Sequence, residues 1–132
     1  MSQIIRFKES PDLGQFLSDM LPEVLISIVY FMAAYAWARW QKKIVITDVW
    51  KSLPIDPAGT HNAWRAVDIR NSGFTHDEAI ELADRVNVLA TYDPTRSFLK
   101  CCLVYELDPK GKHDDHFHVQ VHERTVLDGG GF

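Results

Sequence analysis

The chain has 132 residues, of which 46% are hydrophobic and 24% charged, with a formal net charge of −4. That length suits one ordinary globular domain, 1–132, with a sizeable core of its own. The acidic balance and the lack of a long Lys/Arg run exclude a phosphate-neutralising surface, so no nucleic acid partner is expected.

The opening "MSQIIRFKES" has no charged start followed by an apolar stretch and a small-residue cleavage site, so no secretory signal is expected and the chain is placed in the cytoplasm on synthesis. Ser10-Pro11-Asp12 offers one helix start and Pro22-Glu23 a second, which makes residues 1–42 a helical N-terminal part. Val24 to Ala38 is an uncharged run of fifteen residues. Spanning a bilayer takes about 20 apolar residues, so a buried helix is expected and no stable membrane insertion.

"KIVITDVW", Lys43 to Trp50, is rich in β-branched residues and runs into a loop with Pro54, Pro57 and Gly59, the pattern of a strand and an irregular connection. "AWRAVDIR", Ala63 to Arg70, alternates as a second strand, with Val67 and Ile69 on one face and Ala66, Asp68 and Arg70 on the other. After "NSGF", Thr75 and Glu78 stand at capping-box spacing, and Ala79, Leu82, Ala83 and Val86 recur at helical intervals. "SFLKCCLVYEL", Ser97 to Leu107, predicts a third strand, and "DPKGKHDD" the turn into a fourth. Cys101 and Cys102, as neighbours in a strand, point to opposite faces; a disulfide between them is geometrically poor, and both are expected to be reduced packing residues. The class is therefore α+β, a mainly antiparallel sheet of four or more strands packed by N-terminal helices and one inserted helix. Residues 43–122 form its core and 123–132 a tail ending in "GGGF".

Three of the six histidines fall within Asp114 to His122, "DDHFHVQVH". Strict alternation there turns Phe117, Val119 and Val121 to the core, leaving His116, His118, Gln120 and His122 on the other face. His61 closes the Pro/Gly-rich loop and Asp68 follows seven positions later on a strand, so both can aim at one point. With His118 brought beside them, two imidazoles and a carboxylate suit zinc and leave a fourth position to water, the arrangement of a catalytic site. A closed structural zinc site would usually use spaced cysteines, which are missing. His113 and His122 are expected to be bystanders, and His76 to belong to the first turn of the inserted helix.

"THNAWRAVDI" resembles the SxHxxGxAxD signature, and "DDHFHVQV" the later HxH segment, of the zinc D-alanyl-D-alanine carboxypeptidases and phage L-alanyl-D-glutamate endopeptidases, whose fold is shared with the Hedgehog signalling domain. The resemblance implies a zinc site made by His61, Asp68 and His118, with Asp115, three residues before the last ligand, as catalytic acid or base. "IVITDVWKS" also looks like the family's strand that ends in an aromatic residue and an arginine, and Lys51 holds the arginine's place. Gly59 stands where the family has serine and Trp64 where it has glycine. Lysine keeps the arginine's charge but lacks its planar fork.

The chemistry so implied is amide hydrolysis. Zinc lowers the pKa of bound water to about 7 and polarises a carbonyl; Asp115 moves the proton from water to the leaving amine; His116 and Lys51 steady the developing oxyanion. The resemblance makes the substrate a peptidoglycan peptide and suggests a phage-type lysis or virion-associated enzyme. Two other readings stand beside it: a non-catalytic zinc-binding module of the same fold, and a histidine-rich metal carrier.

Overall fold

The computed structural model describes residues 5–7, 23–49, 66–71, 73–96, 98–105, 116–122 and 124–127. In chain order the elements are β1 (Ile5–Phe7), α1 (Glu23–Trp40), β2 (Ile44–Asp48), β3 (Ala66–Arg70), α2 (His76–Leu89), β4 (Ala90–Thr91), β5 (Cys102–Tyr105), β6 (His116–Gln120) and β7 (Val126–Leu127). Five strands form one sheet in the order β1-β2-β3-β6-β5, and β4 pairs with β7 in a separate ladder. The class is the expected α+β, but the large sheet is mixed, because β1 runs parallel to β2 while the other pairings are antiparallel. The stretch expected to be wholly helical up to residue 42 thus contains an edge strand, and the stretch expected to be only a tail contributes β7. The helix start expected at Ser10 lies outside the described residues.

The fifteen-residue uncharged run is the body of α1. Leu25, Ile28, Val29, Met32, Ala33 and Ala36 recur at three- and four-residue steps and are buried. No helix among the described residues is long and apolar enough to cross a membrane. The chain leaves α1 through Gln41, whose φ of 54° lies in the left-handed region; its side-chain amide donates back to the Trp37 and Ala38 carbonyls, so orphan acceptors of the last turn are met.

α2 begins as expected. Thr75 accepts from the Glu78 N–H, and the Glu78 carboxylate accepts from the Thr75 N–H, closing the capping box. The same carboxylate takes Lys42 Nζ at 2.6 Å, and Glu81 takes Tyr35 Oη at 2.6 Å and Arg39 Nε at 2.9 Å, so the two helices are cross-linked by polar contacts at the rim of their interface. Hydrogen bonds from those partners hold both glutamates below the usual carboxylate range.

Beneath the rim, Val67 and Ile69 of β3, Phe117 and Val119 of β6 and Ile44 and Ile46 of β2 join the helices' apolar faces in one core. Edge-to-face aromatic contacts link Tyr35 to Trp40, Trp40 to Phe74 and Phe74 to Phe117, with centroids 5.7–5.9 Å apart. Cys101 and Cys102 are buried and form no disulfide, and burial pushes the Cys102 thiol upward, so it stays protonated as packing.

β5 lies at one edge of the sheet, where backbone groups would lack a strand partner. Asn87 of α2 supplies one: its Nδ2 donates to the Cys102 carbonyl at 2.9 Å and its Oδ1 accepts the Cys102 N–H at 3.0 Å. Asn87→Ala leaves both groups unmet and is expected to cost about 1–3 kcal/mol, read from urea unfolding midpoints.

A second buried polar anchor sits after β4. Asp93 is fully buried and accepts from Thr95 Oγ1 at 2.7 Å, Arg96 Nε at 2.8 Å and the Thr95 N–H at 2.9 Å. The Thr95 hydroxyl first, then the Arg96 guanidinium and the Thr95 N–H, hold its carboxyl well below the usual range. A lowered folded pKa gives stability that is complete above the unfolded value of about 3.9 and is lost as pH falls through the folded value. Thermal unfolding followed from about pH 5 to about pH 2 is expected to show that loss in the wild type and less of it in Asp93→Asn.

Candidate metal centre

The alternation expected in β6 is present: Phe117 and Val119 are buried on the helix side, while His116, His118 and Gln120 are half-buried on the other face. β3 answers it with Val67 and Ile69 inward and Asp68 and Arg70 outward. The β3–β6 register then decides what meets. Asp68 lies directly opposite His118, and Arg70 directly opposite His116. Phe117, fixed in the core between the two histidines, sets the orientation of both.

His118 Nδ1 stands 3.0 Å from Asp68 Oδ1, and His116 Nε2 stands 3.8 Å from the same oxygen. Ligating atoms of Asp68, His116 and His118 all lie within 4.8 Å of one another, a group that could hold a metal ion. Tetrahedral zinc with bonds of about 2.0–2.1 Å separates its ligand atoms by about 3.3 Å. The two distances at Asp68 Oδ1 bracket that value, and imidazole nitrogen with carboxylate oxygen is a donor set zinc accepts. A carboxylate as buried as Asp68 is costly to desolvate without a cation or strong donors.

Set against protein-family models, curated proteins and solved structures, the chain matches none. The donor set and its geometry therefore carry the chemical argument.

Of the residues singled out by sequence, Asp68 and His118 stand side by side. His116, expected to act on the substrate, stands close enough to Asp68 to serve as a ligand as well. His61, Lys51, Trp64, His113 and Asp115 lie outside the described residues. His76 opens α2 as expected. His122 is engaged elsewhere: its ring rests against Tyr92 with centroids 5.7 Å apart, and its Nδ1 accepts the Arg124 N–H.

The place of Asp48, a register neighbour of Asp68 that is not one of the grouped ligating residues, was not anticipated from sequence. Ile46 pairs with Ile69 and Asp48 with Asp68, so β2 takes two steps where β3 takes one. This bulge reverses the phase of β2: Ile44 and Ile46 are buried, and Val49 is the next buried residue. Asp48 is thereby set beside Asp68, across from His118's strand. The signal that could have found it is "VITDV", whose acid breaks the apolar alternation at the strand's end.

Proposed function

We propose that this chain is a zinc metallopeptidase with a Hedgehog/DD-peptidase-like fold that hydrolyses amide bonds in bacterial cell-wall peptides. The observation that carries the reading is the 3.0 Å approach of His118 Nδ1 to Asp68 Oδ1, two residues separated by fifty positions in the chain and joined by strand register. Asp68 and His118 would hold the zinc, with His61 as the third ligand that the family resemblance implies, and the bound metal would supply a Lewis acid and an activated water. Asp115, immediately before β6, takes a proton from the attacking water and returns it to the leaving amine. Lys51 and His116 donate to the oxygen on which negative charge develops.

Incubation of the purified chain with peptidoglycan fragments, once with zinc and once with a chelator, is expected to release new peptide termini, seen by mass spectrometry, in the zinc sample alone. Cleavage that survives chelation, or none in either sample, contradicts the proposal. His116→Ala separates two parts for that residue. Retained zinc with lost turnover assigns it to the substrate oxygen, whereas lost zinc makes it a ligand and overturns the oxyanion role.

A further inference from the structure

Away from the metal group, two arginines converge on one buried carboxylate. Arg96 Nε reaches Asp93 Oδ2 at 2.8 Å, and Arg124 Nη1 stands 3.8 Å from the same oxygen. The Thr95 hydroxyl joins them, donating to Asp93 Oδ1 at 2.7 Å and accepting from Arg124 Nη1 at 3.4 Å. Arg124 is held through its backbone as well, whose N–H donates to His122 Nδ1. One carboxylate thus faces two guanidiniums, and a positive charge is left over. The contacts engage Arg96 through Nε and Arg124 through Nη1, and the side chains stay 45% and 61% exposed, so N–H donors remain on an open surface. The chain beside each arginine is apolar and exposed. Phe98, in the turn closed by the Leu99 N–H and the Arg96 carbonyl, is 77% exposed, more than any other large hydrophobic among the described residues. Val126 and Leu127, the strand β7 that follows Arg124, are exposed too. Cations flanked by apolar side chains suit the boundary between lipid headgroups and acyl chains, where apolar burial and attraction to anionic lipid add.

We propose that Arg96 and Arg124 bind the phosphate of an anionic lipid headgroup, so that the chain docks peripherally on a negatively charged membrane surface. Guanidinium meets phosphate with paired N–H donors. Asp93 has already ordered both side chains, so less rotamer freedom is lost on binding than at an unsupported surface arginine. Phe98, Val126 and Leu127 favour a phosphate borne on an apolar body over a free one. The net charge of −4 confines the attraction to this patch, so the loss of one arginine weighs heavily. The site shares no residue with the metal group and stands independently of the peptidase reading.

The test sediments the full chain, with a chelator present so that zinc plays no part, with vesicles of phosphatidylcholine alone or mixed with phosphatidylglycerol. Wild type is expected to be retained only by the anionic vesicles, and Arg124→Gln to bind them about fivefold more weakly. Phe98→Ser is expected to bind more weakly as well. Lys43→Gln, the same change of charge at an exposed residue before β2, is expected to bind as wild type does. Urea unfolding midpoints are expected to be alike in Lys43→Gln, Arg124→Gln and wild type, which shows that the variants fold. No retention of wild type, undiminished binding by Arg124→Gln, or an equal fall in Arg124→Gln and Lys43→Gln overturns the proposal. Inorganic phosphate, titrated by calorimetry, separates the two sources of the group. Saturation by free phosphate without retention on anionic vesicles assigns the arginines to a soluble ligand and overturns the membrane docking.

Discussion

Asp68→Ala is expected to lower zinc affinity by about 100-fold or more while leaving a folded chain. Altering a mere supporting partner of a metal ligand commonly costs 10–100-fold, and one Asp68 oxygen stands near the rings of both histidines. The change removes a carboxylate that is almost wholly buried on a central strand. The change also leaves the His118 ring without its carboxylate partner, so some loss of stability is expected, and urea unfolding of the metal-free variant measures it. Two readouts follow. Calorimetric titration should show one tight site in the wild type and none in the variant. Zinc at about 100 times its dissociation constant should raise wild-type stability by about 2.7 kcal/mol, and this increment should vanish in the variant. An unchanged zinc-dependent rise in Asp68→Ala would remove this residue from the site.

Phe117→Ala is expected to produce the largest loss of stability, about 3–5 kcal/mol. Single domains are stable by only about 5–15 kcal/mol, so the variant should sit near its unfolding threshold. Phe117 is fully buried and meets Phe74 edge-to-face at 5.7 Å, the last link in the aromatic series from α1. It also stands between His116 and His118 on β6, so the cavity left by alanine loosens the strand that presents both imidazoles. Urea unfolding measures the first effect. Zinc titration in the absence of denaturant measures the second, with an expected fall in affinity although no ligand has been altered. Phe117→Leu, which leaves a smaller void, should show a lesser loss of both.

The legible parts of the fold were those where one residue pattern admits one packing. β6 was visible because apolar and polar residues alternate without a break from His116 to Gln120, and α2 because Thr75 and Glu78 announce its start. The parts that stayed hidden depend on partners far away in the chain. β1 is three residues long and is a strand because it pairs with β2, and β4 and β7 have two residues each and exist through each other. Nothing local in "IRF" or "AT" specifies that pairing. Asn87 sits in the last turn of α2, and its amide has a purpose only when β5 is docked beside it.

The candidate site divides along the same line. Asp68 and His118 were legible together because each lies on the outward phase of a strand, and antiparallel pairing needed only the right register to join them. The closeness of His116 to Asp68 follows from its position two residues from His118 on the same face. Asp48 was hidden because a bulge inverts its phase, and a bulge is a property of two paired strands rather than of one.

X-ray absorption at the zinc edge, recorded on the zinc-loaded chain and on His118→Ala, tests most directly whether β3 and β6 together grip one ion. A single shell of nitrogen and oxygen at about 2.0–2.1 Å with imidazole scattering in the wild type, lost or reduced in the variant, is the expected result. Sulfur at about 2.3 Å, or a spectrum that His118→Ala leaves unchanged, would place the ion elsewhere and contradict the site.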